Sequence, residues 1–293
     1  MAGLKYSVIV DTLSTFGLSV WEKPHEVLEL VASAGYDGVD LTAEPDRFDR
    51  KRYQEITGLA RSMGLEIAAL LGAWAAWHAG EGRDLASTDE GARSYAVDYA
   101  KKCTELAVDL NVSVYEICCC AAVPQYPFHE VPLPTVRKNF VKSAREISTH
   151  AAERGVQVAM EPVNRFEGYA GFMNSVVDAM SVAEEVNLDN LGVMVDFFHA
   201  NMEDSSVTDA IRSAGQRLML IHLADSNRQM PGTGHINFTR VIGELYQLGF
   251  QGYLSLDCLP ARPDAKTYLE NSIRYMKEIE QAVTLRERLL GKN

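Results

Sequence analysis

The stretch VRKNFVKSAREISTHAAERGVQVAME (136–161) contains both kinds of element from which this chain is built. In its first part, 136–155, apolar residues recur three and four positions apart, as on an amphipathic helix, and Gly155 stands where such a helix ends. Its second part, 156–161, is a short run with the β-branched residues of a strand. The stretch therefore predicts a helix, a stop and a strand in direct succession.

The same alternation of apolar run and amphipathic stretch recurs along the chain. Further helix-like segments are 24–35 and 93–111, and Pro24 occupies a first helical turn, where proline is tolerated. Strands that alternate with helices form a parallel sheet with the helices packed outside it. The eight runs predicted as strands are 6–10, 38–42, 66–71, 112–118, 156–161, 192–196, 219–223 and 253–257.

A parallel sheet of this kind either stays open or closes into a barrel. An open, doubly wound sheet usually carries a Gly-rich phosphate loop after its first strand, and VDTLSTFG (10–17) is not such a loop. Barrels of about 250 residues routinely fold as one domain. We therefore predict an α/β fold with a single (β/α)8 TIM barrel over residues 1–293, ending in a helix at about 265–290.

Composition argues against several kinds of partner. Apolar residues make up 47% of the chain, yet no run approaches the roughly 18 apolar residues of a membrane span. The net charge of −12 disfavours nucleic acid. Three of the five cysteines are consecutive (118–120), which suits a buried strand better than a metal knuckle or extracellular disulfides. The N-terminus has no secretory pattern, so we expect a cytoplasmic protein that binds neither nucleic acid nor membrane.

Four consecutive predicted strands end on residues that bind metals. In a (β/α)8 barrel the carboxyl ends of the strands converge on one mouth, where catalytic sites are assembled. Glu161, Asp196, His222 and Asp257 are spaced 35, 26 and 35 residues apart, each about one strand–helix unit. Three carboxylates and one imidazole suit Mn²⁺, Mg²⁺ or Co²⁺ better than structural Zn²⁺. The sequence therefore predicts a divalent-metal site built from these four side chains.

Four runs in the second half carry a family resemblance. MEPVNRFE (160–167), VDFFHANMED (195–204), HLADSNRQMPGTGHINF (222–238) and LSLDCLP (254–260) resemble motifs of the xylose-isomerase-like sugar isomerase/epimerase superfamily. Within it they are most similar to the ketose 3-epimerases that act on tagatose and psicose (allulose). The resemblance implies a (β/α)8 barrel, a sugar substrate, Mn²⁺ as the preferred metal with Co²⁺ or Mg²⁺ as substitutes, and a homo-oligomer, either dimer or tetramer.

The resemblance also implies roles for single residues. Glu161, Asp196 and His222 correspond to metal ligands, and Glu161 also corresponds to one of two acid/base carboxylates. The residues that correspond to those contacting the carbonyl end of the substrate are Glu167, His199 and Arg228.

The chain departs from the family pattern at Asp257, where the fourth ligand and second acid/base group is usually Glu. Asp retracts the carboxylate by one carbon–carbon bond, about 1.5 Å. A misplacement of about 1 Å can cost on the order of a hundredfold in rate. The resemblance therefore supports Asp257 better as a ligand than as a proton-transfer group.

These features predict epimerisation at C3 of a 2-ketose through an enediolate, with Glu161 and Asp257 exchanging protons on opposite faces. If Asp257 only ligates, the alternatives are aldose–ketose isomerisation, inosose conversion or elimination from a 3-oxo-glycoside. A non-catalytic sugar-binding barrel is a third possibility. The related DNA-repair nucleases gather three zinc ions with many histidines, whereas this chain has seven histidines and an acidic charge.

Two first-half residues have open assignments. Trp74, which follows the third predicted strand, is predicted to wall the sugar pocket, and ordinary core packing is the alternative. Glu44, after the second strand, either faces the mouth of the barrel or is a solvated acid.

Overall fold

Eight parallel strands close into a barrel in the computed structural model, which describes residues 3–72, 82–120 and 131–289. Each strand pairs with its neighbour in sequence, and the last pairs with the first, which confirms the predicted (β/α)8 class. Every predicted strand is present, and its ends shift by at most two residues. The strands are β1 Lys5–Ile9, β2 Gly38–Thr42, β3 Glu66–Leu71, β4 Val114–Cys118, β5 Gln157–Glu161, β6 Leu191–Asp196, β7 Leu218–Leu223 and β8 Tyr253–Leu256.

The helices pack outside the barrel, and those that begin at Pro24 and Phe238 end directly before a glycine. The helix predicted over 136–155 ends at Ala152, three residues before Gly155. Gly35 and Gly249 adopt left-handed backbone angles, with φ of 92° and 70°, which only glycine adopts without strain. The third helix begins three residues before the predicted start because Asp89 caps it, accepting a hydrogen bond from the backbone of Ala92. The helices are α1 Pro24–Ala34, α2 Arg50–Ser62, α3 Glu90–Asp109, α4 Leu133–Ala152, α5 Val176–Val186, α6 Phe197–Glu203, α7 Val207–Ala214, α8 Phe238–Leu248 and α9 Ala265–Leu289.

Alternation along the strands places the polar residues inside the mouth of the barrel. A small apolar cluster that includes Ala159, Met194 and Leu220 fills the lower part of the barrel. Residues two positions further along a strand point to the same side. Glu161, Asp196 and His222 therefore project into the barrel above this apolar layer.

A much larger apolar cluster lies between the strands and the surrounding helices. Among the helices in the described ranges, none combines the length and apolar character that a membrane span requires.

Candidate active site

A cavity of about 400 Å³ opens at the carboxyl ends of the strands. Its volume falls within the range that small-molecule sites usually have, about 300–1,000 Å³. Most of the residues predicted for the site line it, on the side formed by β5 to β8 and the segments that follow these strands. They are Glu161, Glu167, His199, His222, Arg228 and Asp257.

The compact centre of the site consists of Glu161, Asp196 and His222. One ligand atom from each lies within 4.8 Å of the other two, and all three side chains are buried. Nδ1 of His222 is 3.3 Å from Oε1 of Glu161 and 3.8 Å from Oδ2 of Asp196. Nε2 of His222 and Oδ2 of Asp196 have no hydrogen-bond partner among the described residues. Because burying such atoms unpaired is costly, this group fits a divalent cation.

Asp196 both ends β6 and starts α6. Its Oδ1 accepts hydrogen bonds from the backbone N–H groups of Phe198 at 2.7 Å and His199 at 3.0 Å. This capping fixes the carboxylate and leaves Oδ2 turned toward the other two side chains. The same turn brings His199 to the cavity.

The protonation of Glu161 and His222 follows from their contact. Burial raises the pKa of Glu161, but the hydrogen bond and charge of His222 outweigh it, so that the pKa lies below its ordinary value. Burial lowers the pKa of His222, but Glu161, Asp257 and Glu116 reverse the shift and raise that pKa to about 10. With no cation bound, the two side chains form a buried ion pair.

Asp257 lies directly after β8, where its backbone N–H donates to the carbonyl of Leu223 at 3.0 Å. Its carboxylate lines the cavity but stands outside the three-residue group whose atoms are mutually within 4.8 Å. Oδ2 of Asp257 faces the guanidinium of Arg228, 3.6 Å from Nη2. The structure thus brings three of the four predicted ligands close together. The fourth, Asp257, faces the guanidinium of Arg228 instead.

The predicted substrate contacts form one hydrogen-bonded network. Nη1 of Arg228 is 2.8 Å from Oε1 of Glu167. The side-chain amide of Asn164 donates to the same oxygen at 2.9 Å and lies 2.8 Å from Nδ1 of His199. Nε2 of His199 is 4.0 Å from both Oε2 of Glu167 and Oδ2 of Asp196. This network brings an imidazole and a guanidinium to the cavity beside the metal-capable group.

The sequence interpretation missed Asn164, although it lies within the quoted run 160–167. Its amide links Glu167 to His199 and therefore fixes both side chains.

The opposite wall of the cavity is aromatic and acidic. Trp21 stacks on Phe48 with ring centroids 4.0 Å apart and an angle of 7° between planes. Nε1 of Trp21 donates to Oδ1 of Asp11 at 3.1 Å, and the hydroxyl of Thr42 donates to Oδ2 of the same carboxylate. Burial raises the pKa of Asp11, and these two hydrogen bonds oppose that rise. Trp74, predicted for this kind of role, lies outside the described residues.

Glu44 faces the mouth and is not a solvated acid. Its carboxylate lines the cavity and accepts hydrogen bonds from Nη2 of Arg83 at 3.0 and 3.1 Å. The hydroxyl of Tyr99 donates to it at 2.6 Å. This buried pair stabilises the cavity wall and leaves Glu44 less available to a ligand than Asp11.

The closed parallel barrel, with carboxylates and an imidazole converging at the carboxyl ends of its strands, defines the class of (β/α)8 barrels with a metal-capable active site. The profile of the xylose isomerase-like TIM barrel family matches residues 28–279. The chain belongs to that family.

Similar proteins in this family are named sugar epimerases. An L-ribulose 3-epimerase from Methylomonas sp. is 27% identical over 77% of this chain and 75% of its own length. A D-psicose 3-epimerase from Ruminiclostridium cellulolyticum is 27% identical over 81% of this chain and 79% of its own. The solved structure of an L-ribulose 3-epimerase superimposes with a TM-score of 0.84 at 20% identity, covering 98% of both chains.

Proposed function

We propose that this protein is a divalent-metal-dependent carbohydrate epimerase that inverts C3 of a 2-ketose. The observation that carries the proposal is the buried group of Glu161, Asp196 and His222, which leaves Oδ2 of Asp196 and Nε2 of His222 unpaired beside a sugar-sized cavity. The ketose 3-epimerases among the similar proteins support the same reaction class.

The proton transfers are assigned to two carboxylates on different strands. In the proposed reaction Glu161, from β5, removes the proton at C3 on one face of the substrate, which leaves an enediolate. Asp257, after β8, delivers a proton to the opposite face, and the configuration inverts. A divalent ion, when bound, would act as a Lewis acid on the carbonyl and lower the pKa of the C3 proton. Two positioned acid/base groups of this kind contribute typically 10²–10⁴-fold each.

The substrate is proposed to lie with its carbonyl end against Arg228, His199 and Glu167. Arg228 and His199 can donate hydrogen bonds to an oxygen that gains negative charge during proton removal. Glu167 accepts from Arg228 and Asn164, so it holds the guanidinium in place. Holding the oxygen at C2 in this way disfavours loss of the neighbouring hydroxyl.

Asp257 is proposed as a fourth metal ligand, and Mn²⁺ as the preferred ion, with Co²⁺ and Mg²⁺ as substitutes. Three carboxylates with one imidazole are a largely oxygen-donor set, which these ions favour. Reconstitution of the metal-free protein with each ion, followed by turnover and metal analysis, tests this assignment.

Assembly, domain organisation and location complete the proposal. By the family resemblance we propose that the whole chain folds as one domain and forms a dimer or tetramer, which light scattering at several concentrations tests. The five cysteines are all free thiols, which is consistent with a reducing, cytoplasmic environment. Fractionation of the source cells tests that location.

The decisive experiment incubates the Mn²⁺-loaded protein in D₂O with separate ketopentoses, ketohexoses, aldoses, inososes and 3-oxo-glycosides. We expect one deuterium at C3 and an inverted C3 centre in at least one 2-ketose. An aldose, an unsaturated product or a released aglycone would assign the chain to the isomerase or lyase alternatives. Sugar binding without any exchange, unchanged by metal removal, would assign it to the non-catalytic alternative.

A further inference from the structure

The three consecutive cysteines at the end of β4, Cys118 to Cys120, divide between two environments. Cys119 packs in the large apolar cluster outside the barrel. Cys118 and Cys120 both line the cavity, because side chains two positions apart point to the same side. Their Sγ atoms are 3.1 Å apart. The predicted buried strand therefore includes Cys118, and Cys119 is buried directly after it, whereas Cys120 is half-buried. The thiols of Cys118 and Cys120 in addition face the cavity.

Two carboxylates stand beside this pair of thiols. One ligand atom each from Glu116, Cys118 and Glu161 lies within 4.8 Å of the other two, and all three residues are buried. Glu116 hydrogen bonds to Glu161 and so helps to lower the pKa of that carboxyl. Glu161 thus belongs to two ligand groups, one with Asp196 and His222 and one with Glu116 and the thiol of Cys118.

We propose that Glu116, Cys118, Cys120 and Glu161 form a second cation site, selective for thiophilic divalent ions such as Zn²⁺ or Cd²⁺. In a tetrahedral zinc site the ligand atoms lie roughly 3.3–3.8 Å apart, so the atoms of Glu116, Cys118 and Glu161, which are within 4.8 Å of one another, need to move by about 1 Å at most. The Sγ atom of Cys120, at 3.1 Å from that of Cys118, needs to move outward by less than about 1 Å. Thiolates select softer ions than carboxylates do. Binding releases the two thiol protons to solvent.

The shared carboxylate gives this second site a functional consequence. An ion on the sulfur side draws Glu161 toward β4 and away from His222. Where the proposed epimerase reaction depends on Glu161, micromolar Zn²⁺ or Cd²⁺ then inhibits it while Mn²⁺ is in excess. Inhibition rests on the proposed function, whereas occupancy of the site does not.

A Co²⁺ titration tests occupancy without any turnover. The metal-free protein, reduced with a phosphine, receives Co²⁺ while the sulfur-to-cobalt charge-transfer absorption in the near ultraviolet is recorded. We expect this band to appear only after the first ion has bound, because the oxygen–nitrogen group fills first. We expect the band to be lost in Cys118→Ala and weakened in Cys120→Ala, with Cys119→Ala as the matched control that keeps it.

The same three variants then enter an assay of Zn²⁺ inhibition, scored as the ratio of rates with and without Zn²⁺. We expect a loss of at least tenfold in Zn²⁺ sensitivity for Cys118→Ala and no change for Cys119→Ala. Circular dichroism verifies folding, and the half-buried position of Cys120 keeps at least one site variant close to the native structure.

Absence of the band in the wild type at excess Co²⁺ overturns the proposal, as does an equal band in all three variants. A band without any epimerase activity supports the cation site and contradicts only the proposed function.

Discussion

Nη2 of Arg228 lies 3.6 Å from Oδ2 of Asp257, while Nη1 of the same guanidinium lies 2.8 Å from Oε1 of Glu167. One planar cation thus bridges a proposed proton-transfer group and a proposed substrate contact. Burial raises the pKa of Asp257, and the charges of His222 and Arg228 oppose that rise. A lysine at position 228 has the charge but lacks the two-pronged geometry.

We therefore expect Arg228→Lys to lower kcat/KM for the active ketose by about 10- to 100-fold, the equivalent of one charge-assisted hydrogen bond of about 1.5–3 kcal/mol. Steady-state kinetics on the substrate found in the D₂O panel measure this. The control is Arg212→Lys, since Arg212 also makes a two-pronged contact, with both oxygens of Glu244 at 2.8 and 2.6 Å, on the outer surface. An equal loss in both variants would contradict a role for Arg228 in the site.

Asp257 is expected to be required for inversion at C3 but not for proton exchange on the face of the substrate that Glu161 serves. In Asp257→Asn the amide cannot carry a proton to or from C3, whereas Glu161 remains. The epimer whose C3 proton faces Glu161 should still exchange with D₂O and regain deuterium on the same face. Mass spectrometry of exchange and chromatography of the two epimers separate these outcomes.

The conservative variant Asp257→Glu serves as the control for that experiment. Its carboxylate is longer by one methylene and should restore inversion relative to Asn. Inversion at the wild-type rate in Asp257→Asn would show that another group supplies the second proton.

The sequence predicted the order of elements because helix and strand periods, with glycine stops, are local properties. Gly35 ends a helix in the structure as it does in the pattern. The site residues near the ends of β5, β6 and β7 could also be predicted from the sequence. Alternation along each strand and closure of the barrel together fix which side chains meet.

The other wall of the cavity could not be predicted in this way. Asp11, Trp21 and Phe48 lie in the segments that follow β1 and β2, where no repeating period relates sequence position to direction. Their proximity depends on a hydrogen bond and a ring stack between separate segments. The position of Cys118 in the cavity could not be predicted for another reason. Which alternate residues of β4 point into the barrel follows from the pairing of β4 with β5, where Cys118 lies opposite Glu161.

Metal binding should stabilise the fold through the three-residue group. An ion that binds only the folded chain adds about 2.7 kcal/mol to the free energy of unfolding at a hundred times its Kd. We expect Mn²⁺ to raise the thermal midpoint of the wild type, EDTA to reverse this, and Asp196→Asn to abolish the shift. Scanning fluorimetry with and without Mn²⁺ measures all three.

Asp89→Asn is the control, since Asp89 caps α3 through a similar carboxylate-to-backbone contact, at 2.9 Å, away from the cavity. Asparagine still caps a helix at both positions, so the two variants differ in the lost ligand charge. A Mn²⁺ shift that survives in Asp196→Asn would contradict its assignment as a ligand.

A half-buried carboxylate at the end of α6 should make stability depend on pH. Asp204 accepts a hydrogen bond from the backbone N–H of Val176 at 3.2 Å, while burial and nearby acidic groups raise its pKa from 3.8 to about 6. Between pH 3.8 and about 6 the carboxyl of Asp204 is therefore protonated in the folded chain and ionised in the unfolded chain. The contribution of Asp204 to the free energy of unfolding falls as pH rises through that window. In Asp204→Asn the side chain stays neutral and can still accept the hydrogen bond. Above pH 6 we therefore expect the free energy of unfolding of this variant to exceed that of the wild type by about 1 kcal/mol, a value reduced for partial solvent screening. Below the window the two proteins should be equally stable. Urea unfolding on both sides of the window measures the difference, and the exposed Asp98→Asn should show none.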